Sequence, residues 1–579
     1  MRVRSASILV GSLFLSGFLA ACGSTTTHST SASTSKTTVN TAVIGLSPQS
    51  SPNWFFPVLS VQDYTDLNTQ VESLMYMPLL YINGQDQVQF SRSLASGISV
   101  SHDDTVYTIR LGHQWKWSNG DPVTAQDVVF TWNISKAAST LSNSPWLYGG
   151  VGIGGVPSGW KSVTAQGKYT VVVTLTKPAN PTEFELNGLS QIMPAPASAW
   201  NKYPTNMVRE LRYIESIANS PSNPAYRVVD GPYQFSSMSP NNYWDFVPNP
   251  HFDGHRSTLK KVVLQYEASS TSEFDQLKSG TVNVGFLPPS LWKVRKQLTG
   301  DRMVSSYVWG FNFLQLNFSP KAPGNMGTIL SNLYVRQALQ MGVNQPGIIK
   351  TLFHGQGVVE NGPIPPEPKT SFYDPALNTP VYPYNPAQGK KLLEDHGWHE
   401  VNGVMTRDGQ KLAFTLTYTS GSDTYESIVQ LLKSSWAQEG IDVTLDSMPF
   451  DNVVGEAVPS DPTKWVMLNW GGALSWSWTY EPDYFPTGTG LFNTGAANNP
   501  GLYNSPTMNK LLAALDGPAT TAQTQSRLYA YEKYAAIDLP VIWLPYDPML
   551  SEYSKYLGGI AKSFNPIEDL YYPNYWTVK

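Results

Sequence analysis

The residues with the greatest capacity for binding chemistry crowd into one stretch, Asn469-Trp-Gly-Gly-Ala-Leu-Ser-Trp-Ser-Trp-Thr-Tyr-Glu-Pro482, followed by Asp483. Trp470, Trp476, Trp478 and Tyr480 offer aromatic faces that suit sugar rings, peptide side chains or cationic groups, and Glu481 and Asp483 add carboxylates at its end. Of the histidines, His251-Phe-Asp-Gly-His255 has metal-ligand spacing but follows the turn sequence Asn249-Pro250, and His396 and His399 flank a helix end as capping or surface groups. No metal site and no cofactor is expected. The chain lacks the H-E-x-x-H, G-x-S-x-G and P-loop sequences, and nothing marks a glycosidase carboxylate pair. A secreted hydrolase is therefore the distant alternative to a binding protein.

The elements that position such a surface follow a targeting segment. Arg2 and Arg4 precede the apolar stretch Ile8–Leu19, too short to span a bilayer securely, and the run ends on Leu19-Ala20-Ala21-Cys22. Cys22 is the only cysteine, so no disulfide forms within the chain. The ending resembles a lipoprotein lipobox, which implies a signal peptide over 1–21 and a lipid on Cys22. The Ser/Thr-rich residues 22–41 cannot bury enough surface to fold and read as a tether with a reach of about 25 Å. The remaining chain is too long for one core, so at least two lobes are expected. With 41% hydrophobic and 14% charged residues, the body is globular; a net charge of −5 gives no footprint for nucleic acid.

Residues 104–133 are the most legible. Val106, Thr108 and Arg110 alternate with Tyr107, Ile109 and Leu111 as a half-buried strand; Ser118-Asn-Gly-Asp-Pro122 is a tight turn; Thr124 and Asp127 form a near capping box ahead of a helix. Thr41–Leu46 reads as a first buried strand, Val71–Leu80 as a helix running into a strand, and Gly231–Phe235 with Tyr243–Val247 as a hairpin. Lys261–Tyr266, Glu273–Lys278 and Thr281–Phe286 give a parallel β-α-β unit, and Phe311–Phe318 an alternating strand. Helices follow over Asn332–Met341, from Asn385-Pro386 to Gly397-Trp398 with Leu392 and Leu393 facing the core, and over Ser427–Gln438, with strands at Ala413–Tyr418 and Ile441–Leu445.

In this order the segments resemble the extracellular solute-binding proteins of family 5, the peptide and nickel group of ABC importers. Trp115-Lys-Trp-Ser-Asn-Gly-Asp-Pro-Val-Thr-Ala-Gln-Asp-Val-Val-Phe130 is similar to the family signature W-S-D-G-x-P-x-T-A-x-D-V-x-F. Gly231-Pro-Tyr233, Asn249-Pro250, Ser279-Gly280, Val335-Arg-Gln-Ala-Leu339, Tyr384-Asn-Pro386, Gly397-Trp398 and Leu539-Pro540 support it. The resemblance implies an α/β, two-lobed periplasmic-binding-protein-like fold with an additional subdomain on the first lobe. Lobe I would span 42–305 with its subdomain near 85–210, lobe II 306–542, and 543–579 would return to lobe I. Crossing strands near Ser305–Asn312 and Ile542–Tyr546 would form the hinge.

Peptide-binding members carry an aspartate shortly after a tryptophan that pairs with the ligand's ammonium; counted from Trp470, that position is Ala473, beside Gly472. Glu481-Pro482 keeps the family's acidic-Pro pair behind an aromatic insertion, so Glu481 or Asp483 is left to replace the lost acid. Trp54 and Phe55 after the first strand, and Trp309, Phe311 and Asn312 near the hinge, complete the expected ligand contacts. The resemblance implies a monomer, lipid-anchored on the extracellular face of a bacterial cytoplasmic membrane, that delivers an oligopeptide to ABC permease subunits. An oligosaccharide or another polar solute is the alternative ligand.

Overall fold

In the computed structural model, which describes residues 40–457, 461–469 and 484–579, the stretch 104–133 is strand, turn and capped helix. Val106–Leu111 leads to a turn in which Gly120 adopts φ +92°, a conformation that suits glycine, and then to the helix Ala125–Thr140. Asp127 Oδ2 accepts from the Thr124 backbone N–H at 2.8 Å and from its hydroxyl at 3.0 Å. The other oxygen accepts from Ala197 N–H at 2.9 Å, so this carboxylate fixes a helix start and ties it to a distant segment. Val106–Leu111 belongs to an antiparallel sheet of Ala95–Val100, Val106–Leu111, Thr170–Leu175 and Trp160–Ala165, in that spatial order.

Seven strands form the principal first-lobe sheet, in the order Asp301–Ser306, Met549–Ser554, Val284–Phe286, Thr41–Gly45, Lys261–Gln265, Tyr243–Pro248, Tyr233–Ser239. The expected β-α-β unit is present as Lys261–Gln265, the helix Ser270–Ser279 and Val284–Phe286. Thr41–Gly45 lies between its two strands and runs parallel to both. The second-lobe sheet has the order Asp442–Met448, Ala413–Thr419, Met467–Asn469, Phe313–Leu316, Val541–Trp543. The chain passes from one sheet to the other twice, after Asp301–Ser306 and after Val541–Trp543.

Three local readings are corrected. Phe313–Leu316 is buried at all four positions instead of alternating, because it is an inner strand with both faces covered. Helix Asp66–Met75 does not run into a strand. The Asp230 carboxylate accepts the Met77 N–H at 3.0 Å, and a Cβ on Gly231 would stand 2.5 Å from Tyr76 N, so the chain leaving the helix is packed against this neighbour and not against a strand. Of Leu392 and Leu393, only Leu393 joins the second-lobe core.

Candidate functional site

The two lobes meet along a hydrogen-bonded seam. Asn187 Nδ2 donates to Phe485 O and its Oδ1 accepts from Phe485 N, each at 2.8 Å, so one side chain pairs with a backbone unit of the other lobe. Asn498 Nδ2 donates to Gly149 O at 3.3 Å, Ser420 Oγ to Gln49 Oε1 at 2.7 Å, and Ser270 N to Gly421 O at 3.3 Å. Asn187 is fully buried, so Asn187→Ala leaves the Phe485 N–H and C=O without these partners only when the lobes are closed. The expected result is a shift toward an open form and a loss of ligand affinity of roughly ten- to a hundredfold, about 1.4–2.8 kcal/mol. Small-angle scattering and calorimetry check it; an unchanged scattering profile and an unchanged Kd would exclude the clamp.

Beside this seam lies a cavity of about 160 Å³. Pro57, Val58 and Leu59 form one side, and Asp66, Thr69, Glu72, Ser73 and Tyr76 another. Tyr148, Gln191, Trp115 and Phe252 extend the wall, and the carboxyl-terminal segment adds Glu568, Leu570, Tyr572 and Tyr575; Tyr484 is its second-lobe contribution. Helix Asp66–Met75 starts where Thr65 accepts from Asn68 N, and residues 66, 69, 72–73 and 76 recur at helical spacing, which puts them on one face.

The cavity wall is strongly polarised. The Arg92 guanidinium lies 3.7, 4.4 and 4.6 Å from the ring centroids of Tyr81, Tyr572 and Tyr575, and no described group accepts a hydrogen bond from it. Glu568 accepts from Tyr572 Oη at 2.5 Å, from Asn565 Nδ2 at 2.8 Å and, across the seam, from Tyr484 Oη at 3.3 Å. Burial nevertheless pushes its carboxyl up to about 7. Burial also pushes Asp66 up to about 7 and holds Glu72 well above the ordinary carboxylate range. The site can thus present hydrogen-bond donors, acceptors, aromatic faces and both signs of charge to one solute.

The residues expected at the ligand fall in several places. Trp470, Gly472, Ala473, Trp476, Trp478, Tyr480, Glu481 and Asp483 lie outside the described residues, as does Cys22. Phe55 is 0% exposed, edge-on to Tyr226 and Phe235 in the first-lobe core, and gives a ligand no surface. Trp54 packs on Trp146 and donates from Nε1 to Val58 O at 3.1 Å; its neighbours Pro57–Leu59, and not Trp54 itself, reach the cavity. Asn312 is a strut at the crossing between sheets: its N–H donates to Glu360 at 2.9 Å, its Nδ2 to Tyr425 Oη at 2.9 Å, and its C=O accepts from Leu544 N at 3.0 Å. Trp309 and Phe311 line a separate small hollow of about 20 Å³ with Pro363, Pro365, Pro486 and Gly488. The His255 ring stacks on Tyr575, and among the described residues no cluster of three metal-binding side chains occurs. Sequence reasoning missed Glu72, Arg92 and Glu568. The available signals were a lone acid inside the apolar run Val71–Met77 and the aromatic run Leu570–Trp576 following Glu568-Asp569.

Residues 89–490 match the model of a family described as bacterial extracellular solute-binding proteins, family 5 middle. The oligopeptide-binding protein AppA of Bacillus subtilis (strain 168) is 22% identical over 429 residues, 74% of this chain and 72% of its own. The structure of Bacillus subtilis AppA in complex with a nonapeptide is similar at TM-score 0.79 and 21% identity, over 93% of this chain and 99% of that one. NikZ from Campylobacter jejuni in complex with Ni(L-His) is similar at TM-score 0.70 and 20% identity, over 90% of this chain and 95% of that one. The fold shared with these structures is the two-lobed α/β architecture.

Proposed function

Since the chain belongs to the bacterial extracellular solute-binding proteins of family 5, we propose that it captures an oligopeptide between its two lobes and delivers it to the permease of an ABC importer. Members of this family bind solutes without converting them, and the chain is a substrate-binding protein and not an enzyme. The observation that carries the oligopeptide reading is the charge pattern of the seam cavity. Arg92 shares the wall with Asp66, Glu72 and Glu568, so an acidic group and an amine of one peptide each find a partner of complementary chemistry there. The peptide ligands named for AppA and for lactococcal OppA point the same way. A lipid on Cys22 and the Ser/Thr-rich tether would hold the body, as a monomer, at the outer face of the cytoplasmic membrane.

The test uses the full chain extracted from the membrane fraction of producing cells. Melting is followed against separate peptide and oligosaccharide pools; a ligand at a hundredfold excess over its Kd adds about 2.7 kcal/mol to the native state. A shift with peptides is the expected result. A shift with oligosaccharides alone would replace the oligopeptide reading with the alternative, and recovery of the chain solely from the soluble fraction would count against the anchor.

A further inference from the structure

We propose that the cavity face of helix Asp66–Met75, carrying Asp66 and Glu72, is a subsite for a protonated amine of the ligand. This rests on the reading of the chain as a peptide receptor and names the group that its first lobe recognises. Glu72 is 5% exposed, lines the cavity, and its Oε1 is buried without a hydrogen-bond partner. None of the ion pairs among the described residues involves Glu72 or Asp66. A buried carboxyl oxygen left unpaired is costly, and an ammonium entering the cavity supplies the missing donors. The two acids stand six residues apart on one helical face with Thr69 between them, so one ammonium or two neighbouring polar groups of a ligand can be held along it. The rings of Tyr76 and Tyr148 on the same wall favour a cation over a neutral polar group. The position expected to carry an ammonium-pairing acid in the second lobe is Ala473; the helix face supplies acids from the opposite lobe.

Two sources of the amine are separable: the peptide's own amino terminus and a basic side chain. The full chain is titrated by calorimetry with tetra-alanine, N-acetyl-tetra-alanine and N-acetyl-Ala-Lys-Ala-Ala. The expected result is that N-acetyl-tetra-alanine binds at least tenfold more weakly than one of the other two; the tighter of those identifies the source. Glu72→Gln and Asp66→Asn are expected to bring that ratio close to one. Asp66 is only partly buried, so its variant guards against a folding defect in the first, and an unchanged melting curve checks both. Equal affinities for all three peptides, or a preference preserved in Glu72→Gln, would overturn the amine subsite and leave the peptide reading intact. Binding of none of the three would overturn the peptide reading, and the subsite with it.

Discussion

Raising the pH from 5 to 8 is expected to destabilise the protein by several kcal/mol and to lower its melting temperature by several degrees. Glu439 and Glu532 are 0% exposed, and burial pushes both carboxyls up to about 9. Glu552, also buried, is pushed up to about 8. Glu532 accepts one hydrogen bond, from Asp374 N–H at 2.8 Å, and neither oxygen of Glu439 has a partner. In the unfolded chain these groups ionise near the ordinary glutamate value of about 4.3. Between there and pH 8 the unfolded state releases protons that the folded state still holds. Stability is therefore fully present below the unfolded value and is lost as pH rises toward the folded value, on the order of 1 kcal/mol per pH unit for each group. Calorimetric melts at pH 5, 6, 7 and 8 check this. A melting temperature that stays level or rises across the range would exclude it. Glu439→Gln removes the titrating group in nearly the same shape and is expected to raise the melting temperature at pH 8 but not at pH 5.

Such a carboxyl is invisible in sequence, since Glu439 looks like any acid at the end of the helix Asp423–Gln438. What was legible is what local chemistry decides. Thr124 and Asp127 sit three residues apart, Asn385 caps the helix Pro386–Asp395 through Gln388 N, and Gly280 in the left-handed region closes Ser270–Ser279. Register over long separations was not legible from pattern. Met549–Ser554 lies between Asp301–Ser306 and Val284–Phe286, and only a family resemblance led to expecting the chain to return there. The cavity was the least legible part. An aromatic after a strand has the same sequence appearance in a core as at a cleft, and Phe55, expected at the ligand, packs on Tyr226 and Phe235. Glu72 is not marked in the sequence because the hydrophobic period of its helix describes burial and does not distinguish a core from the lining of a cavity.

Replacing Arg336 with alanine is expected to cost about 3–5 kcal/mol, because it strands buried carbonyls and one carboxylate at once. Arg336 is buried in the helix Leu333–Met341. Nε and Nη2 donate to Asp538 O at 3.0 and 2.7 Å, and Nη1 donates to Leu330 O at 2.8 Å and Ser331 O at 3.0 Å. The Asp538 carboxylate stands 3.5 Å from Nη2 and also accepts from Tyr503 Oη. A lysine cannot reproduce this planar fork, so Arg336→Lys is expected to recover only part of the loss. One turn further along the helix, Gln340 Nε2 donates to Trp543 O at 3.1 Å and its Oε1 accepts from Trp543 N at 2.8 Å. Both side chains thus grip the segment Asp538–Trp543 just before the chain crosses back to the first-lobe sheet. Denaturant unfolding of Arg336→Ala, Gln340→Ala and the double variant measures the grip. If the two act on one segment, the double variant loses less than the two single losses added, by more than about 0.5 kcal/mol. Additive losses would mean that the two side chains hold the segment independently, and an Arg336→Ala loss below about 1 kcal/mol would show that its carbonyls find other partners.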